Sequence, residues 1–161
     1  MAVLFTSDLH IGHRGIIKYR DRFTSADQHH EYMLGKIEEL GKRDLLLVLG
    51  DFVFDSPQYN EHLNRLSKIN CRIKLIMGNH DSLQILEEGF IEHAEALVNY
   101  KKFWLSHCPI HPMELRKKIG NIHGHLHGCD IPDERYFNVN IENHNYEFVE
   151  LDTIKHHFGV Q

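Results

Sequence analysis

The chain has 161 residues, 42% of them apolar and 25% charged, the balance of a folded globular protein rather than a disordered or membrane one. Its formal charge of −5 implies no general affinity for nucleic acid, and no apolar run approaches the roughly 20 residues of a membrane-spanning helix. Cys71, Cys108 and Cys129 lack C-x-x-C spacing, which argues against a disulfide framework and against a thiolate zinc site.

A single domain over residues 1–161 is expected, large enough to bury a true core. The start Met1-Ala2-Val3-Leu4-Phe5 has neither the basic opening nor the length of a signal peptide, so the expected location is cytoplasmic, with the thiols reduced. The unusual count is 15 histidines, a composition that points to metal chemistry.

Along the chain, Ala2 to Phe5 reads as an interior strand. Tyr32, Met33, Ile37 and Leu40 recur at helical spacing from Asp27, with Gly41 where a helix stops. Leu45 to Leu49 is a fully apolar strand. Ser56-Pro57 reads as an N-cap with proline at the first helical position, opening a helix toward Lys68 with Leu63 and Leu66 inward. Arg72 to Met77 is a third strand. Short runs at 96–100, 103–106, 119–123, 136–141 and 146–151 read as strands joined by turns. Strand–helix alternation followed by a strand-rich half predicts an α/β fold, a sheet sandwich with helices outside, whose strand order stays open.

Five of these runs lead into polar clusters: Asp8-Leu9-His10, Gly50-Asp51, Gly78-Asn79-His80-Asp81, His107 and Gly124-His125-Leu126-His127. Ligands of α/β sheets bind outside the carboxyl ends of strands, so the clusters could share one site. D-x-H and G-D are cheap patterns here, whereas G-H-x-H arises by chance about one time in ten and G-N-H-D only about a few times per thousand. Their joint occurrence in order therefore carries the inference.

As a set, the clusters resemble the five blocks of the calcineurin-like metallophosphoesterases, and Ser7-Asp8-Leu9-His10-Ile11-Gly12-His13 is similar to the small capless bacterial and phage members. The resemblance implies a two-sheet β-sandwich flanked by helices (αββα). It also implies one ion on Asp8, His10, Asp51 and His127, and another on Asp51, Asn79, His107 and His125, with Asp51 bridging. Carboxylate, amide oxygen and neutral imidazole suit hard-to-borderline divalent ions such as Mn²⁺, Fe²⁺ or Zn²⁺; Mn²⁺ is the expected ion, with Fe²⁺, Zn²⁺, Ni²⁺ or Co²⁺ as alternatives. Two cations against two carboxylates leave positive charge for a phosphate group and can activate a hydroxide between them. His80 is the candidate proton donor to the leaving group. One position departs from the pattern: many relatives carry an acid three residues after the bridging aspartate, and this chain has Phe54, leaving Asp55 or Asp81 as candidates to orient His80.

Other readings remain beside these. Asp8 and Asp51 could be turn carboxylates, Asn79 a turn residue and His107 a buried core histidine, but their context favours ligation. His13, Arg14, Asp81 and His111 could touch substrate or brace ligands. His13, Arg14, His111 and His123 are nevertheless read first as exposed loop residues, and His29-His30 and His156-His157 as solvated surface. Phe103-Trp104 reads as core packing. The expected activity is hydrolysis of a small phosphate ester, a diester foremost. The alternatives are a monoesterase or nucleotidase of the same fold and a non-catalytic scaffold that keeps the metal site. A homo-oligomer stays open.

Overall fold

Successive residues of the first strands go to opposite sides, and that alternation builds two cores. Strand β1 (Val3–Thr6) sends Leu4 to one and Phe5 to the other; strand β2 (Leu45–Val48) divides Leu46 and Val48 from Leu45 and Leu47 in the same way. A sheet buried on both faces needs such apolar runs, because neither side can be left to water.

The computed structural model describes residues 1–161. After β1 come helix α1 (Ala26–Glu38), strand β2, helix α2 (Tyr59–Leu66), strand β3 (Arg72–Ile76) and strand β4 (Ile91–Glu95). Strands β5 (Leu97–Tyr100), β6 (Phe103–Ser106), β7 (Gly120–His123), β8 (Tyr136–Asn138) and β9 (Val149–Glu150) follow, with helix α3 (Leu151–His157) last. One sheet has the order β4-β3-β2-β1-β9, parallel except for β9; the other runs β5-β6-β7-β8, parallel except for β5. The expected two sheets flanked by helices are present.

Helices α1 and α2 carry the parallel crossovers, as parallel neighbours require. Met33, Leu34 and Ile37 of α1 and Tyr59, Leu63 and Leu66 of α2 join Leu4, Leu46, Val48, Ile73 and Leu75 in a core of 19 buried residues. Each large apolar side chain so buried contributes on the order of 1.5–3 kcal/mol. Between the sheets, Phe5, Leu47, Leu49 and Ile76 meet Phe103, Leu105 and Ile122, with Leu151 and Ile154 of α3 in the same core.

Four elements differ from the sequence reading. Helix α2 begins at Tyr59, because Tyr59 N donates to Ser56 O at 2.9 Å in a preceding turn; Gln58 holds the cap position and Ser56 does not. The run 136–141 ends as a strand at Asn138 and turns into a 3-10 helix (Ile141–His144) capped by Asn140. From 146–151 only Val149–Glu150 pairs, and Leu151 opens α3. Strand β4 was not expected: it is an edge strand whose Glu92, His93 and Glu95 are exposed, so it carries no apolar run. No helix is long and apolar enough to cross a membrane.

Candidate metal centre

The five polar clusters leave their strands and converge. Asp8 N donates to Gly50 O and His10 N to Asp51 O, each at 2.9 Å, so the first two loops are zipped together beyond the strand pairing. Asp8, His10, Asp51, His125 and His127 all have positive φ, between 49° and 70°. For residues with a Cβ that backbone is costly, and it persists where the surroundings over-determine it, as at functional sites. Two glycines make the approach feasible. A Cβ on Gly50, itself at φ +89°, would lie 2.2 Å from His107 Nδ1, and one on Gly124 would lie 2.2 Å from Ser7 Oγ and 2.6 Å from Asp8 Oδ2.

Two groups of donor atoms result. At one end, Asp8 Oδ1 stands 3.9 Å from His127 Nε2, and His10 Nε2 stands 3.7 Å from Asp51 Oδ2. Asp8 Oδ1 and both ring nitrogens of His10 are buried without any hydrogen-bond partner. Burying such atoms unpaired costs several kcal/mol in total at about 1–3 each, so their clustering marks a position suited to a cation. At the other end, His107 Nε2 lies 2.9 Å from Asn79 Oδ1, 3.1 Å from His125 Nδ1 and 3.4 Å from Asp51 Oδ2. His107 Nδ1–H donates to Leu49 O at 2.8 Å, which leaves a lone pair on Nε2 among acceptor atoms. A proton or a metal ion among these atoms satisfies that convergence. Asp51 Oδ2 lies between the two groups, within 4 Å of a nitrogen from each.

The electrostatics agree with this geometry. Burial, helped by Arg20, depresses the His10 imidazole to about 3, so it is neutral and can offer a lone pair. Burial opposes the charge of Asp51, but its hydrogen bonds with His107 and with His80 N–H hold its carboxyl down to about 2. Burial also opposes a charge on His107, yet the adjoining Asp51 raises it above the ordinary value. Glu142, hydrogen-bonded to the ring, raises His127.

His80 lies at the surface beside this centre. Its N–H donates to Asp51 Oδ1 at 3.0 Å, and its ring packs 5.6 Å from His10 and 5.4 Å from Phe54. The acid expected to orient its ring is not there. Asp81 spends its carboxylate on the N–H groups of Asp51, Phe52 and Gly78, at 2.7–2.9 Å, and Asp55 is exposed. Asp81 thus fixes the loop that carries Asp51, and the rings of His10 and Phe54 flank His80.

The remaining candidates divide. His13 lies at the site, stacked on Phe54 at 4.4 Å and 5.5 Å from the His10 ring. Arg14 is turned toward Asp27 at 3.9 Å in the open, and His111 caps the 112–115 turn through Met113 N–H; neither joins the donor groups. Three histidines read as exposed are buried: His29 and His123 completely, and His30 to 5% exposure.

Arg20 and Glu142 are the residues that sequence reasoning missed. Arg20, buried to 1% exposure, donates from Nε to Glu142 Oε1 at 2.7 Å and from its terminal nitrogens to Asp8 O and Leu9 O. The same Glu142 oxygen accepts from His127 Nδ1–H at 3.1 Å, which leaves the Nε2 lone pair facing Asp8. Behind Arg20, its guanidinium donates to His29 Nε2, which puts the His29 proton on Nδ1, directed at His30 Nδ1 3.0 Å away. Nothing in the polar stretch Lys18-Tyr19-Arg20-Asp21-Arg22 singles out the one buried cation.

Parallel strands ending in a shared oxygen- and imidazole-rich centre define a metal-compatible α/β fold with the donor chemistry of a phosphoesterase. The chain belongs to the calcineurin-like phosphoesterase family, whose model matches residues 1–160. It is 29% identical to an uncharacterised protein of Methanocaldococcus jannaschii, over 94% of this chain and 88% of that relative. A probable cyclic nucleotide phosphodiesterase of Coxiella burnetii is 27% identical over 60% of this chain and 40% of its own length. Among solved structures, a protein of unknown function from Aquifex aeolicus superposes with a TM-score of 0.74 at 26% identity, covering 96% of this chain and 98% of that one.

Proposed function

We propose that the chain is a hydrolase of phosphodiesters that works with two divalent cations, Mn²⁺ foremost, one held by Asp8, His10, Asp51 and His127 and the other by Asp51, Asn79, His107 and His125. The observation that carries this reading is Asp51 Oδ2 placed between two groups of inward-facing lone pairs, including the unpartnered Asp8 Oδ1 and His10 Nε2. When bound, a pair of such ions supplies Lewis acidity toward the phosphate and acidifies water.

The chain's own residues supply the rest. Glu142 fixes which nitrogen of His127 faces the ion position, and Leu49 O does the same for His107. Asp81 pins the backbone of Asp51 and Gly78 so that the carboxylate and the Asn79 amide keep their spacing. His80, exposed and adjacent to Asn79, contacts the phosphate and protonates the departing oxygen, a role worth about 10²–10⁴-fold.

The test is hydrolysis of bis-p-nitrophenyl phosphate and of p-nitrophenyl phosphate by the Mn²⁺-loaded protein, with His80→Ala alongside. Turnover favouring the diester is expected, with kcat lowered about 10²–10⁴-fold in His80→Ala at unchanged metal content. Absence of turnover of either ester with both ions bound would remove the proposal, and preference for the monoester would redirect it.

A further inference from the structure

Two open clefts flank the centre and share no lining residue. The first, about 340 Å³, is walled by His10, His13, Ile16, Tyr19, His80 and His127. The second, about 430 Å³, runs along Met77, Asn79, Leu97, His107, Pro109 and Ile110. Each takes its floor from a different group of donor atoms: His10 and His127 in the first, Asn79 and His107 in the second. The Gly78–Asp81 turn divides them, with Asn79 facing the second cleft and His80 the first. Both volumes lie in the range of small-ligand pockets, roughly 300–1,000 Å³. A monoester has one organic arm for these two spaces, whereas a diester has two.

The clefts differ in chemistry. Tyr19 stands on the rim of the first with 75% of its surface exposed, fixed by its N–H to Ile16 O at 3.0 Å above the buried Ile16. An exposed ring at the mouth of a catalytic cleft offers a face on which a base can stack. No Phe, Tyr or Trp lines the second cleft; its apolar side chains are Met77, Ala96, Leu97, Pro109 and Ile110.

Building on the phosphodiesterase reading, we propose that the leaving arm is a nucleoside, a sugar alcohol whose flat base stacks on Tyr19 beside His80, while the retained ester arm lies in the Leu97 cleft. Hydrolysis then breaks the phosphorus–oxygen bond on the Tyr19 side. The oxygen of water joins phosphorus, the nucleoside oxygen leaves with the His80 proton, and a proton released from water restores His80. The products are a free nucleoside and the monoester of the other alcohol.

Thymidine 5′-methyl phosphate reads this out, because its two ester bonds have comparable leaving alkoxides and the product pair reports which arm lay beside His80. With metal-loaded protein, thymidine plus methyl phosphate is the expected dominant pair. Tyr19→Ala is expected to erode that ratio by roughly five- to hundredfold, the worth of one stacked base, and Tyr19→Phe to preserve it. Leu97→Trp, which narrows the second cleft, is expected to slow bis-p-nitrophenyl phosphate more than methyl p-nitrophenyl phosphate, whose retained arm is small. Dominant release of methanol, a ratio indifferent to Tyr19→Ala, or equal slowing by Leu97→Trp overturns the two-arm assignment. Failure of the unaltered metal-loaded protein to cleave any diester overturns the phosphodiesterase reading itself.

Discussion

Glu142 touches neither group of donor atoms directly, yet one of its oxygens receives both Arg20 Nε–H and His127 Nδ1–H. Replacing it by glutamine keeps an acceptor for the buried guanidinium but removes the charge that raises His127 and sets its tautomer. Losses of metal affinity on altering such partners run to about 10–100-fold. Glu142→Gln is therefore expected to weaken the ion proposed for Asp8, His10 and His127 by that factor and to spare the other proposed ion, measured by metal titration after dialysis. Equal weakening of both ions would show Glu142 to be a general structural residue. Glu142→Ala goes further: it strands the Arg20 charge and is expected to cost on the order of 3–5 kcal/mol of folding stability by urea denaturation. That Arg20 and Glu142 escaped the sequence reading has a physical reason. The pair is 122 residues apart in the chain, and neither sits in a pattern that distinguishes a buried ion pair from two surface charges. The donors themselves were legible because ion-binding chemistry admits few residue types, and they occur in tight local clusters.

At the scale of elements, the site depends on loops that leave the carboxyl ends of strands in left-handed conformations and approach one another closely. Gly124, at the end of β7, has no room for a side chain against Ser7 Oγ and Asp8 Oδ2. Gly124→Ala is expected to push the 124–127 loop away from Asp8, to cost about 1–3 kcal/mol as overpacking does, and to lose first the ion proposed for Asp8 and His127. Gly128→Ala is the matched control, since a Cβ there meets nothing within 4 Å, and it should keep the metal content of the unaltered chain. Metal content and thermal melting of the two variants check this; parallel behaviour would show that crowding at Gly124 is not what holds the loop. The core strands were readable from sequence because both faces are buried, leaving apolar runs such as Leu45–Leu49. Strand β4 was not, because its outer side chains face water and its register against β3 slips between Ile73 and Lys74, breaking the alternation that would reveal it. Helix α3 was not foreseen, its first residue Leu151 being taken as the end of a strand, because its buried apolar residues, Leu151 and Ile154, are too few for a period to register.

For the whole molecule, the buried histidines make stability depend on pH in two opposing ways. His10, His29 and His30 are held to about 3, 2 and 4, first by burial and next by Arg20 for His10 and His29 or by His62 for His30. The folded chain keeps them neutral while the unfolded chain protonates below about 6.5, so each costs about 1.4 kcal/mol of stability per pH unit as pH falls from there toward its folded value. His107 and His127 are raised instead, and the stability they contribute is fully present below about 6.5 and lost as pH rises through their folded values. Metal-free protein is thus expected to be most stable near the ordinary histidine pKa and to weaken on both sides. Ions bound as proposed would act most on the alkaline side: they would replace the protons on His107 and His127, so their affinity and the stability they add by mass action would grow with pH. Urea denaturation between pH 5 and pH 8, with and without Mn²⁺, tests both limbs at once: a profile flat below 6.5 would show that the Arg20–His29–His30 chain is not neutral, and a Mn²⁺ increment independent of pH would show that His107 and His127 hold no proton for an ion to displace.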